Sequence, residues 1–303
     1  MNAPAIRLHG VTKRFGDHTA VRDLDLEIPE GTICGLLGPN GSGKTTTIRM
    51  ILGIYGPDRG TVELFGGSPD HRRRRRVGYL PEERGMYRTM KLLDHLVFIG
   101  EIRGMRPREG RRRGMAWLER LGLSEWADRR VEDLSRGMQQ KAHFIATVLH
   151  EPDLLILDEP FSGLDPINQD LLESIVLELN ARGATILFST HLMDQAERLC
   201  RRVCLISCAE KVLDGDLREI RRAEDRGDLH LVFEGDEGWL ATPEVATATR
   251  AGEGWRLTLA PGIDPQRILA RAVEAGVEMR RFERVEPRLH EIFVRHARTG
   301  DSR

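Results

Sequence analysis

The chain has 303 residues, room for one large domain and a small one, and with 40 % apolar and 31 % charged residues it can bury a sizeable core under a well-solvated surface. A formal net charge of −1 gives no overall electrostatic drive towards nucleic acid, and no nucleic-acid partner is expected. The longest clear apolar run, Leu154-Leu155-Ile156-Leu157, falls far short of the roughly 18–20 residues that cross a bilayer, and Met1 to Gly10 lacks the charged start and apolar stretch of a signal peptide.

Residues 6–28 alternate as strands do, with Ile6, Leu8, Leu24, Leu26 and Ile28 on one side. Thr32 to Leu37 reads as a short buried strand that runs into a glycine-rich turn. Ile48, Ile51 and Leu52 then keep helical spacing, so the unit is strand–loop–helix. Residues from about 86 to 150 read mainly as helix, with Met90, Leu93 and Val97 on one face and Met115, Leu118 and Leu121 on another. A buried strand at Leu154 to Leu157, a helix at Asp170 to Leu179 and a strand at Ala184 to Ser189 follow. Such alternation predicts an α/β fold with a mainly parallel sheet. Beyond about Leu217, strands at Leu229 to Phe233 and Trp255 to Leu259 and helices at Pro265 to Ala275 and Pro287 to Ala297 predict a small α+β domain. The expected division is 1–216 and 217–303, near the charged stretch Arg218 to Asp228.

Three of the four cysteines, Cys200, Cys204 and Cys208, are spaced by four, but Cys204 sits in the strand-like run Val203-Cys204-Leu205-Ile206, which breaks any helical alignment. No histidine stands in zinc-ligand spacing nearby, so these and Cys34 read as reduced structural thiols.

Two motifs carry phosphate chemistry. Gly38-Pro39-Asn40-Gly41-Ser42-Gly43-Lys44-Thr45 matches G-x-x-x-x-G-K-[ST] in its required setting, after a strand and before a helix. Its glycines let backbone N–H groups converge on phosphate oxygens, and the helix adds its positive end. Lys44 is expected to reach the β- and γ-phosphates and Thr45 to ligate Mg²⁺. The run ending in Asp158-Glu159 delivers two carboxylates to the carboxyl edge of the sheet. There Asp158 can hold Mg²⁺, directly or through water, and Glu159 can act as general base.

These motifs alone define a P-loop NTPase. Leu134-Ser135-Arg136-Gly137-Met138-Gln139-Gln140, a short distance before that strand, resembles the signature motif of ABC ATPases. Pro160 to Asp165 resembles their D-loop, and Ser189-Thr190-His191 their switch histidine. Phe15, ahead of Ala20-Val21, stands where that family stacks an aromatic ring on adenine, and the loop with the following Thr46 forms the rest of the ATP site. The resemblance spans about residues 5–215, with residues 86–150 as the helical subdomain. It implies two ATPase subunits paired head to tail, with Ser135 and Gly137 of one closing over ATP on the other. It also implies His191 holding Glu159 and the water in line. A homodimer is favoured by the complete motif set, with a heterodimer as the alternative. A chain of this family would be cytoplasmic and peripheral on the inner face of the cell membrane, held by an integral membrane permease.

Glu82, in Val77-Gly78-Tyr79-Leu80-Pro81-Glu82, departs from the glutamine usual at this place and is expected to keep its role as a Mg²⁺ ligand. Pro81 to Tyr87 resembles ABC-2-type exporters, particularly the sodium-efflux-like group, and Glu286 to Phe293 resembles the end of that group's accessory domain. The expected function is ATP hydrolysis powering export. A soluble ABC ATPase acting on ribosomes or DNA is the alternative, but the sequence shows none of the tandem cassettes, coiled-coil insertion or zinc modules that such proteins carry. The arginine run Arg72 to Arg76 reads as a solvated loop or helix face, with anionic lipid or nucleic acid as the other reading.

Overall fold

The structure is a computed structural model that describes residues 4–83, 85–225 and 227–300. The chain divides into two compact units, Met1–Asp216 and Leu217–Arg303.

The first unit opens with a hairpin of β1 (Ile6–Phe15) and β2 (His18–Ile28), then β3 (Ile33–Leu37), α1 (Lys44–Ile51), β4 (Arg59–Leu64), α2 (His71–Arg74) and β5 (Val77–Leu80). A helical stretch follows: α3 (Leu92–Ile102), α4 (Pro107–Arg120) and α5 (Arg136–Val148). The chain then returns to the sheet through β6 (Leu154–Asp158), α6 (Pro166–Ala181), β7 (Thr185–Thr190), α7 (Met193–Leu199), β8 (Arg202–Ser207) and β9 (Glu210–Asp216).

Six of these strands form one sheet in the order β5-β6-β7-β3-β8-β9, parallel except for the β8–β9 pairing. Every residue of β3, β6 and β7 is buried. This accounts for their unbroken apolar runs, because a parallel strand covered on both faces has no solvent side to make polar. The order places β7 between β3 and β6, with Leu37 opposite Thr190 and Asp158 opposite Ser189. The ends of three strands therefore share one edge.

A second, antiparallel sheet, β2-β1-β4, buries one side of the hairpin. Ile6, Leu8, Leu24 and Leu26 pack with Leu36, Ile156 and Leu187 of the large sheet and with Ile48 and Ile51 of α1. In the helical stretch α4 lies close on α3 because Gly110 and Gly114 face it. A Cβ at Gly114 would stand 3.1 Å from Leu93 Cδ1. The stripe Gly110, Gly114 and Leu118, spaced by four, is the buried face of α4. Met115 falls one residue off that stripe and is 37 % exposed, so the expectation that it shares the core face with Leu118 and Leu121 is corrected.

The second unit holds α8 (Leu217–Glu224), β10 (Leu229–Glu234), β11 (Val245–Ala251), β12 (Gly254–Leu259), α9 (Pro265–Glu274), β13 (Glu278–Arg284) and α10 (Leu289–Gly300). Its sheet is antiparallel, in the order β11-β12-β10-β13. Leu229, Leu231, Leu257 and Leu259 pack on Ile268 of α9. Arg256 ties the sheet to α10, donating to Glu291 at 2.8 Å and to Asp228 at 3.1 Å.

Candidate functional site

The phosphate loop joins β3 to α1, and its glycines are required by geometry. Gly38 has φ 151°, and a Cβ there would lie 2.1 Å from the Ile206 carbonyl oxygen. Gly43 has φ 110°, and its Cβ would lie 2.3 Å from the Ala20 carbonyl oxygen. Side chains at either place would clash with backbone that cannot move aside. α1 begins at Lys44 with no side chain capping it. Its first N–H groups therefore remain available to an anion, in the positive field of the helix end. The Lys44 ammonium donates to the Gly38 and Pro39 carbonyls at 2.7 and 3.0 Å, and burial pulls its pKa below the usual lysine value. Ser42 is buried within the loop.

The acidic edge faces that loop. Asp158, at the end of β6 and 1 % exposed, accepts a 3.2 Å hydrogen bond from the Thr45 hydroxyl. Burial pushes its carboxyl pKa up. The next residue, Glu159, is in the left-handed region at φ 48°, with its N–H donating to the Ser189 carbonyl at 3.0 Å. For a non-glycine residue that conformation costs about 1–3 kcal/mol. It turns the carboxylate towards the end of β7. There Oε1 accepts from the His191 backbone N–H at 2.9 Å and lies 2.7 Å from His191 Nδ1, while Oε2 accepts from the Thr190 hydroxyl at 3.2 Å. With Nδ1 carrying the proton, His191 Nε2 is left to contact a further group.

Together these elements enclose a cleft of about 330 Å³ lined by Phe15, Asn40, Gly41, Gly43, Lys44, Thr45, Thr46, Glu82, Asp158 and Glu159, with His18 and Ala20. Gly38, Pro39 and Ser42 shape the loop without lining the cleft. His191 reaches it through Glu159. Phe15 is 44 % exposed at the mouth, edge-on to Tyr55 with ring centroids 5.4 Å apart. A second cavity of about 330 Å³ adjoins the first and shares Thr45, Glu82 and Asp158 with it, so Glu82 faces both. Its Tyr79 phenol is pushed up to about 12 by burial, with Asp158 adding to the effect.

Ser135 and Gly137 are not among the lining residues of the cleft. Ser135 caps α5, accepting from the Met138 N–H at 3.3 Å, and Gly137 lies in the first turn. His18 is not singled out from sequence, and Thr190 is named there only within the Ser189-Thr190-His191 motif, without a role of its own. His18 pairs with Phe15 across the hairpin turn, and that tight Phe15-Gly16-Asp17-His18 connection is the signal that could have found it.

The site suits a nucleoside triphosphate: an uncapped helix start and a lysine for phosphates, and an exposed ring for a base. Thr45, Asp158 and Glu82 offer the hard oxygen donors that magnesium prefers. A glycine loop between a buried parallel strand and a helix, opposed by two carboxylates at the same sheet edge, defines a P-loop nucleotide-hydrolysing enzyme.

Residues 21–162 match the ABC transporter family model, and residues 215–297 match the C-terminal domain of DrrA1-3-like ATP-binding proteins. The chain is 43 % identical to the ABC transporter ATP-binding protein YhaQ of Bacillus subtilis (strain 168), over 94 % of this chain and 95 % of that one. It is 35 % identical to Nod factor export ATP-binding protein I of Paraburkholderia xenovorans (strain LB400), over 97 % of each. Among solved structures, an ATP-binding subunit of an ABC transporter superposes with a TM-score of 0.68 at 31 % identity, covering 73 % of this chain and 93 % of that one. The chain belongs to the ATP-binding subunits of ABC transporters, and its activity is ATP hydrolysis.

Proposed function

We propose that the chain powers a membrane exporter, hydrolysing Mg²⁺-bound ATP between two copies paired head to tail. The observation that carries the export reading is likeness along the whole chain, second unit included, to subunits named for export. No helix among the described residues is long and apolar enough to cross a membrane. An integral permease would therefore supply the transport path and hold the chain at the inner membrane face.

In this reading Phe15 stacks on the base, and the N–H groups from Gly38 to Thr46 cradle the phosphates. Lys44 leaves the Gly38 and Pro39 carbonyls for the β- and γ-phosphates. Thr45, Asp158 and Glu82 hold magnesium, which when bound neutralises phosphate charge. Among the described residues, Glu159 Oε1 is engaged twice by His191 whereas Oε2 accepts only from Thr190, so Oε2 keeps the lone pair that takes the proton of the attacking water. His191 Nε2 contacts the γ-phosphate and keeps carboxylate and phosphate aligned. Ser135 and the Gly137 N–H, at an α5 start outside this chain's own cleft, close over ATP on the other copy.

The test is an affinity pull-down of the full chain carrying Glu159→Gln, with ATP, from detergent-solubilised membranes, followed by mass spectrometry. A polytopic membrane protein is expected. Recovery of ribosomal or DNA-associated proteins with no membrane partner would overturn the reading.

A further inference from the structure

We propose that an arginine ridge on the helical part of the first unit seats on anionic phospholipid headgroups. The inference rests on the reading that the chain works beside a membrane permease.

The ridge joins two segments distant in sequence. Arg75 donates to the Arg103 carbonyl at 3.2 Å, and Arg103 donates to the Arg74 carbonyl at 3.1 Å. These reciprocal bonds hold the end of α2 against the turn between α3 and α4. Several arginines here have evident structural work. Arg73 pairs with Asp70, Arg76 with Asp153, and Arg113 with Glu109 and Glu151. Arg72, Arg106, Arg108 and Arg112 do not. All four are exposed, and among the described residues their guanidinium groups have no ion pair or hydrogen bond. Arg108 and Arg112, one turn apart on α4, lie opposite the buried stripe of Gly110, Gly114 and Leu118.

A chain of net charge −1 thus gathers unpaired positive charge in one place. Some exposed arginines elsewhere meet carboxylates, as Arg7 meets Glu27 and Arg284 meets Asp225, and others, such as Arg59 and Arg129, do not among the described residues. What marks this region is that two arginine-rich segments, Arg72 to Arg76 and Arg103 to Arg113, are tied together. Keeping like charges together unpaired costs stability unless an anionic surface offsets it. Ile102, at the end of α3 beside Arg103, is 57 % exposed within the ridge. An aliphatic side chain among guanidinium groups suits the lipid interface, where it enters the headgroup layer while the cations stay at phosphate level. Duplex nucleic acid would leave that isoleucine without a function, and Trp117, the aromatic ring of α4, is covered by Arg120 at 5.1 Å rather than free to stack on a base.

Vesicle flotation of the purified full chain tests the proposal. Phosphatidylcholine vesicles containing phosphatidylglycerol should float the protein, vesicles of phosphatidylcholine alone should not, and added salt should release it. Each arginine at an anionic surface contributes about fivefold to partitioning, so changing Arg72, Arg106, Arg108 and Arg112 together to Gln should lower binding by about 25-fold if two of them reach the surface and by about 600-fold if all four do. The same positions changed to Lys should retain it, and ATP hydrolysis by both variants should match the parent, showing that they fold. Failure of the parent chain to bind anionic vesicles, or equal binding by the Gln variant, would overturn the proposal. So would binding of labelled duplex DNA through these arginines with no vesicle binding. Recovery of a permease by the Gln variant keeps the transporter reading separate, since that contact does not need the ridge.

Discussion

Glu159 and His191 are locked together twice: Oε1 of the carboxylate lies 2.7 Å from His191 Nδ1 and accepts the His191 backbone N–H at 2.9 Å. Because the glutamate also adopts φ 48°, its direction is set by backbone and side chain at once. Glu159→Gln should therefore lower kcat by about 10²–10⁴ while ATP still binds. His191→Ala should fall in the same range, and the double variant should be little worse than either alone, because the two act as a unit. Thr190→Val, removing the donor to Oε2, should cost roughly tenfold, and Thr190→Ser should recover it. Steady-state ATPase rates on the five variants check this. Additive losses for Glu159 and His191 would mean independent roles.

Asp158 is held by burial above the usual carboxylate range. A raised folded pKa means stability that is present at low pH and lost as pH rises through that pKa, so at neutral pH the ionised carboxylate is a cost to the empty chain. Asp158→Asn should raise the Tm of the nucleotide-free protein at neutral pH. It should also shrink the further rise produced by Mg²⁺ and ATP. Thermal melts with and without Mg²⁺ and ATP read both effects.

His150 follows the opposite sign. Burial, with the Arg103 charge nearby, lowers its pKa from 6.5 to about 4. Its contribution is complete above pH 6.5 and is lost as pH falls towards 4. About 2 kcal/mol should disappear between pH 8 and pH 5 from this group alone. In urea unfolding, His150→Gln should reduce the pH dependence over that interval by about this amount. An unchanged difference would assign acid sensitivity to other groups.

What could be read from sequence was set by how strongly local physics constrained it. The phosphate loop was legible because only glycine fits beside the Ile206 and Ala20 carbonyls. β6 and β7 were legible because strands buried on both faces must be apolar throughout. β11 and β13 were not. Val245–Ala251 and Glu278–Arg284 are mostly exposed edge strands, so neither shows the apolar alternation that marks a strand. Met115 was misread because helical spacing identifies a face only to within one residue, and the glycines at 110 and 114 decide which face α4 buries. Thr190 was missed as a partner of Glu159, since the two stand 31 residues apart and meet only through strand register.

The most direct test of the account is the mass of the full chain carrying Glu159→Gln, by size-exclusion chromatography with light scattering, with and without Mg²⁺ and ATP. A nucleotide site completed by Ser135 and Gly137 of another copy predicts a monomer alone and a dimer with ATP. It further predicts that Ser135→Arg abolishes the dimer although each chain still binds nucleotide. A chain that stays monomeric at saturating ATP, or hydrolyses ATP at a rate per molecule independent of its concentration while monomeric, would contradict it.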